Sequence, residues 1–397
     1  MAAMNEVFDV VVAGGAAIGS SVAYQLAADP GFKGRILVLE PDPGYERAAS
    51  ARSAASIRQQ FSAPVNVKLS LYGIEFLRDL GARLSVDGER PDIGLREGGY
   101  LFMATSSGEA VLRENHALQI SLGADIAFFD RAGLAAKFPW LATDDLVAGT
   151  WGRTGEGWFD GYGLVQALRR KARTLGVEYR KAALAGIDMK GDRATALRLS
   201  DGTAISAGHV VLAAGTGTRE IVRAIGFDIP VHAKKRFVFT FECRTRIDGV
   251  PLTIDPSGVY FRPEGEGFIG GTVPPEDKDP DVAPDDFEVD YDFFDEYVWP
   301  ALAARVPAFE AIKRGRAWAG HYDMNMFDAN ALIGFVPGTA NVLLANGFSG
   351  HGLQQSPGVG RGLAELIRHG KYTTLDLGDL SPARLLTGAK MLEKNVV

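Results

Sequence analysis

Three groups of residues in this chain have the types and spacing to do chemistry. Gly14, Gly15 and Gly19 follow the apolar run at residues 9–13 and open a stretch with helical apolar spacing, Ile18, Val22, Ala23 and Leu26. Such a turn aims backbone N–H groups at a pyrophosphate, and Glu40, at the end of a second apolar run, is placed to accept hydrogen bonds from a ribose hydroxyl pair. The unit points to an adenine dinucleotide without saying which. Its middle glycine position is held by Ala16, a methyl where the pyrophosphate approaches. The second group, GFSGHG at residues 347–352, is a glycine loop entering another helix. It gathers N–H donors and the positive end of a helix dipole, able to hold the negative charge of a reduced isoalloxazine; a nicotinamide enzyme needs no such second anion site. The third is Arg262 in GVYFRP, whose planar guanidinium could grip a carboxylate through two hydrogen bonds. Strand alternation puts Tyr260 on the same side. Arg58, Lys234, Lys235 and Arg236 are lesser candidates, and His351 could orient a substrate, donate to a flavin or only satisfy backbone acceptors.

These groups need elements to hold them. Residues 9–40 read as one complete βαβ unit, followed at 41–61 by a loop rich in Ser, Arg and small residues, with Ser50, Arg52 and Ser53 available along a cofactor. Helices are predicted at 65–80, from the spacing of Val67, Leu71, Ile74 and Leu77, and at 163–175. Residues 210–218 read as a further strand with a glycine turn, and 341–367 repeat the theme of strand, glycine loop and helix. Between them the chain is β-rich and aromatic, with an acidic excursion at 274–296 and a helix predicted around 290–304. The expected fold is α/β: a Rossmann-like domain of residues 1–90, 148–224 and 325–397, interrupted by a β-rich substrate domain of antiparallel sheet plus helices, 91–147 and 225–324.

Composition narrows the class. A length of 397 residues exceeds one typical core, and 46% apolar with 23% charged residues is that of a globular protein. A net charge of −7 argues against general nucleic-acid binding. The single Cys243 excludes an internal disulfide framework and fits a reducing, cytoplasmic compartment. The first strand begins by residue 9, which leaves no room for a signal peptide, and no apolar run reaches the roughly 18 residues of a membrane span. The six histidines lack metal-ligand spacing, so no metal is expected.

The opening unit, ASARSAASIRQQF at 49–61, GEGWFD at 155–160, VVLAAGTGT at 210–218, WAGHYDMNMFDANALIG at 318–334 and GFSGHGLQQSPGVGRGLAELI at 347–367 together resemble the D-amino-acid oxidase family of FAD enzymes. The likeness is nearest to the branch with sarcosine, dimethylglycine, glycine and iminodiacetate oxidases, and it extends to mitochondrial members implicated in respiratory complex I assembly. The resemblance implies extended FAD, with Gly14, Gly15, Ala16 and Gly19 at the pyrophosphate and Glu40 at the ribose. It puts Ser50, Arg52 and Ser53 along the cofactor, Leu184 at the adenine, Gly215 at the middle, and Gly350, His351, Gly352, Leu353 and Gln354 at the flavin. It implies hydride transfer from the carbon beside a neutral amine to flavin N5, imine hydrolysis, oxygen as acceptor and a small carboxylate-bearing substrate. Dehydrogenase activity towards a quinone or carrier, or an assembly role, are the alternatives. Where sarcosine oxidases continue their loop with an aromatic residue and a lysine, this chain has Leu353 and Gln354, which disfavours sarcosine itself. Without a cysteine near His321 or Tyr322, FAD is expected to be non-covalent. Ala55 and Ser56 replace glycines often found in the loop.

Overall fold

The computed structural model describes residues 6–394. Its first eight-stranded sheet is built on Glu6–Ala13, apolar on both faces beyond its first turn, as expected of a parallel strand covered on both sides. Ile36–Leu39 pairs with it on one side and Ala204–Leu212 on the other, both in parallel. Glu178–Arg180 and Val342–Asn346 extend the sheet in the same direction. Leu332–Phe335 closes one edge antiparallel, and the hairpin Leu184–Lys190 and Arg193–Leu199 hangs from Ala204–Leu212. Parallel strands share one carboxyl edge, so the loops after Ala13, Leu39, Leu212 and Asn346 all meet there. Ligands of open α/β sheets bind at this edge.

Four helices cover one face: Ala17–Ala28 packs on Gly352–His369 and Gly161–Thr174, and Gly352–His369 packs on Pro64–Arg78. The crossing of the first pair is close because Gly360 has no side chain; a Cβ there would run into Ser21.

The second sheet also has eight strands, in the order Ile312–Asn325, Val231–Cys243, Gly267–Gly271, Tyr260–Glu264, Leu252–Ile254, Tyr100–Ala104, Ala148–Gly152, Ile126–Asp130. It is antiparallel apart from one parallel pair, Leu252–Ile254 with Tyr100–Ala104. One face buries a phenylalanine core with Phe239, Phe241, Phe261 and Phe309. Alternation then turns Tyr260 and Arg262 to the other face, beside Trp158.

The elements depart from expectation in three places. Ala148–Gly152 pairs with Tyr100–Ala104 and Ile126–Asp130 in the second sheet, so the expected boundary at 148 falls too early by that strand. The 41–61 segment is more ordered than a loop, with a helical turn Ala49–Arg52 and a short strand Ser56–Ile57 paired to Gly157–Trp158. The helix predicted around 290–304 is Trp299–Arg305, preceded by a wide turn at Phe294–Val298. The predicted ends, residues 1–5 and 395–397, lie outside the described residues.

Placing a methyl at the tightest crossing tests this packing. Gly360→Ala should cost about 1–3 kcal/mol by overpacking and lower the thermal midpoint without changing cofactor content; an unaltered midpoint would mean the helices have slack.

Candidate functional site

A cavity of about 620 Å³ lies along the carboxyl edge of the first sheet and reaches the second sheet at His321, Tyr322 and Asp323. Its walls include ten of the expected cofactor residues: Gly14, Ala16, Glu40, Ser50, Ser53, Leu184, Gly215, Gly350, Gly352 and Leu353. The remaining five serve the wall from behind. Gly15 donates its N–H to Glu40 Oε2 (2.8 Å), and Asp42 N donates to the other oxygen (2.8 Å), so the carboxylate is held by two main-chain donors. Burial nevertheless pushes the Glu40 pKa up. Gly19 packs the helix on the turn, since a Cβ would overlap the Gly14 carbonyl. Arg52 leaves the cavity: its guanidinium donates to the carbonyls of Glu46 and Ala319 and caps the Phe287 ring at 4.3 Å. His351 and Gln354 turn toward Arg58.

The turn itself explains which glycines matter. Gly14 has φ +98°, and a Cβ would run into the Ala213 carbonyl. Ala16 has φ −72°, ordinary for any residue, and leads directly into the helix. Ser50 Oγ faces the same helix start, 3.4 Å from Ala17 N.

The second loop hangs from one side chain. Asp323, on Ile312–Asn325, accepts from Gly347 N (2.8 Å) and Asn346 Nδ2 (3.1 Å), and its carbonyl accepts from Ser349 N (3.1 Å). Gly347, Ser349 and Gly350 all have positive φ, a backbone that such bonds must hold for the non-glycine Ser349. Burial raises the Asp323 pKa to about 6, against the backbone N–H groups of Phe348 and Gly347.

Arg58 is fully buried beside this loop. Its Nη2 lies 2.9 Å from His351 Nε2, and its guanidinium packs on the rings of Phe61 (4.5 Å) and Phe102 (5.3 Å). Burial, and then the Arg58 charge, push the His351 pKa well below its ordinary value, so the imidazole is neutral and accepts the guanidinium hydrogen at Nε2. Gln354 Oε1 accepts from Arg58 N (2.9 Å). Behind Arg58, Glu156 accepts from Gln59 N (2.5 Å) and Gln60 Nε2 (2.8 Å), and burial raises its pKa to about 7. Tyr100, Tyr260 and Tyr322 share this electrostatic neighbourhood. The Tyr260 and Tyr322 hydroxyls make no hydrogen bond among the described residues, and burial raises both pKa values, keeping them protonated donors. Arg262 is placed differently from a free carboxylate receptor: its guanidinium is paired with Glu264 and donates to Ala54 O (2.7 Å) and Pro263 O (2.9 Å). Lys234, Lys235 and Arg236 are paired with Asp281, Asp286 and Asp279. Sequence reasoning missed Asp323, Glu156 and Tyr322. Tyr322 and Asp323 stood in a motif already noted, WAGHYDMNMFDANALIG, and two-residue alternation from Gly320 was the available signal for Tyr322.

A family model described as FAD dependent oxidoreductase matches residues 9–366. The chain belongs to this family of FAD-dependent oxidoreductases. It is 39% identical to FAD-dependent oxidoreductase domain-containing protein 1 of Xenopus laevis, over 98% of this chain and 85% of that protein. Among solved structures it is similar to L-proline dehydrogenase from P. horikoshii (TM-score 0.83, 24% identity, 98% of this chain and 100% of that one). It is also similar to glycine oxidase from Geobacillus kaustophilus (TM-score 0.79, 22% identity, 95% and 98%).

The cavity fits the cofactor. Gly14 leaves the first anion site open, Gly215 (φ +54°) has nothing within 4 Å of where a Cβ would stand, and Asn346 Oδ1 is buried without a partner among the described residues. FAD bound here would have its pyrophosphate at residues 14–17, its ribose at Glu40 and its flavin beside Gly350–Leu353. Among the described residues, no three His, Cys, Asp or Glu side chains gather as a metal site requires, and no helix is long and apolar enough to cross a membrane.

The Asp323 pKa is higher in the fold, about 6, than its ordinary 3.8. The folded protein therefore binds that proton more tightly, a contribution fully present below pH 4 and lost as pH rises through 6. Asp323→Asn should flatten the fall in apoprotein thermal midpoint between pH 4 and 7; a slope equal to wild type would show that Asp323 does not titrate there.

Proposed function

We propose that this oxidoreductase oxidises the C–N bond of a small N-substituted amino acid, an N-alkylglycine or an iminodiacetate-like molecule, to an imine that water hydrolyses. Bound FAD supplies the two-electron acceptor for the hydride, at N5. The observation that carries this reading is Tyr322: it lines the cavity, its hydroxyl has no hydrogen-bond partner among the described residues, and it is electrostatically coupled to Tyr260, Arg58 and Arg236. In this reading the two protonated phenols and the buried guanidinium form a receptor for a carboxylate at the cavity wall made by Tyr322. Tyr260, Tyr322 and Arg58 take the carboxylate, and neutral His351 orients Arg58. Arg262, matched by Glu264, stands one step back and braces Tyr260 and the Ala54 loop. Burial also lowers the pKa of an incoming amine, delivering the neutral form whose α C–H can be oxidised without a strong base. The named substrates of glycine oxidase and L-proline dehydrogenase, which share the fold, support an amino-acid substrate. Oxygen is assigned as the final acceptor, giving H2O2, and a reducing cytoplasm as the compartment.

The test is an anaerobic screen of N-substituted glycines, iminodiacetate and proline, following flavin absorbance. Bleaching by at least one secondary amino acid is expected, with equimolar peroxide in air. Tyr322→Phe should raise KM about tenfold while kcat stays within about threefold, the signature of a lost binding contact. Failure of every secondary amino acid to bleach a fully loaded enzyme would overturn the proposal.

A further inference from the structure

The wall of the cofactor cavity at His321 and Tyr322 is partly made of a segment that belongs to neither sheet. Residues 279–287 (DPDVAPDDF) contribute Pro284 and Phe287 to the cavity. The segment has no helix, and only Asp279, Val282, Asp286 and Phe287 are even half-buried. What holds it is the edge of Val231–Cys243. Arg236 makes a two-pronged pair with Asp279 (2.8 and 2.9 Å), and Lys234 reaches Asp281 (3.0 Å) and the Asp279 carbonyl (2.5 Å). His232 Nδ1 lies 2.6 Å from Asp281, and Lys235 pairs with Asp286 (2.7 and 2.8 Å). Two main-chain links add to these: Val282 N donates to Ala233 O (3.1 Å), and the Asp286 carbonyl lies 2.6 Å from His321 Nε2. At the far end the Phe287 ring is stacked on His321, 4.2 Å between centroids with planes 7° apart, and capped from the other side by Arg52.

This is a strap with a latch and a plug. The latch is Lys234, Lys235, Arg236 and His232 of one strand against three aspartates, and the plug is one aromatic ring between an imidazole and a guanidinium. A segment with so little buried apolar area opens locally at a cost well below global unfolding. The latch also accounts for the KKR run at 234–236 and for Arg52, whose charges the cavity does not use. We propose that residues 279–287 are the gate of the cofactor chamber: opening the strap exposes the flavin end of the cavity, and the latch sets how fast FAD leaves. The inference rests on FAD binding and is independent of which amine is oxidised.

The decisive experiment pins the strap reversibly. Lys234 and Asp281 are bridge partners on adjacent antiparallel segments, a Cα separation that a disulfide spans. In a K234C/D281C/C243S holoenzyme, FAD release after dilution is followed by the recovery of free-flavin fluorescence, oxidised and then after dithiothreitol. Release at least about tenfold slower in the oxidised form, restored on reduction, is expected from a cross-link that removes the open state. Equal release rates in a protein shown by mass to be cross-linked would overturn the gate. Asp286→Asn provides a second arm that needs no cross-link: cutting one partly exposed ion pair should speed release about threefold at low salt and reduce its dependence on KCl. Release from Asp286→Asn at the wild-type rate, with the wild-type salt dependence, would equally overturn it.

Discussion

The rest of the site depends on one buried carboxylate crossing between the two sheets. Asp323 sits near the end of an edge strand of the second sheet, yet its hydrogen bonds go to the loop that leaves the first sheet, at Gly347 and Asn346. Asn325 continues the junction by donating its N–H to Ser349 Oγ (3.0 Å). The loop needs this, because three of its residues occupy left-handed backbone and one of those is a serine. Take the junction away and the N–H groups of the loop have no fixed direction, the helix Gly352–His369 loses its entry, and Leu353 no longer walls the cavity. Burying a carboxylate is costly unless donors surround it, and here the donors are the very groups whose positions matter.

The same accounting of charge explains the placement of the cations. A guanidinium or ammonium removed from water needs a partner, and this chain supplies partners that are close in space, several of them distant in sequence. Lys235 meets Asp286, and Arg305 is shared by Asp145 (2.8 Å) and Asp255 (2.5 Å). Arg262 finds Glu264 on its own strand, two residues on and therefore on the same face. Arg58 Nη2 faces a neutral imidazole and its plane packs on aromatic rings, while Glu156 and Glu393 accept from the main chain of the segment that follows, Glu156 from Gln59 N (2.5 Å) and Glu393 from Ser62 N (2.9 Å). The two carboxylates thus hold the backbone on which Arg58 is mounted.

What could be read in the sequence was whatever depends on local backbone chemistry. The first glycine turn, Glu40, the GFSGHG loop and the repeated return of the chain to one sheet all announce themselves through glycine, apolar runs and their order. The interleaved organisation was inferred from three such segments, and the strand Ala148–Gly152, placed there with the first sheet, pairs in the second, because a five-residue strand carries no mark of the sheet it will join. Side-chain partnerships were legible only where spacing imposes them. Arg262 with Glu264 could have been anticipated from alternation, whereas nothing local says that Arg52 will cap Phe287, or that Lys234 to Arg236 will be covered by an acidic segment some 45 residues later. Tyr322 was hidden for the same reason: a tyrosine in a strand reads as core until the opposing cavity is known.

Ala16 shows how far a motif can be trusted once its geometry is understood. The three-glycine fingerprint compresses three separate demands, and this chain meets two of them with glycine for reasons visible in its backbone. Gly14 must be glycine because its φ is positive and the Ala213 carbonyl occupies the place of a Cβ; Gly19 must be glycine because the Gly14 carbonyl does. Position 16 carries neither demand. Its φ of −72° suits alanine, and the residue lines the cavity. The fingerprint is therefore intact where the backbone itself requires glycine and varied only where it does not.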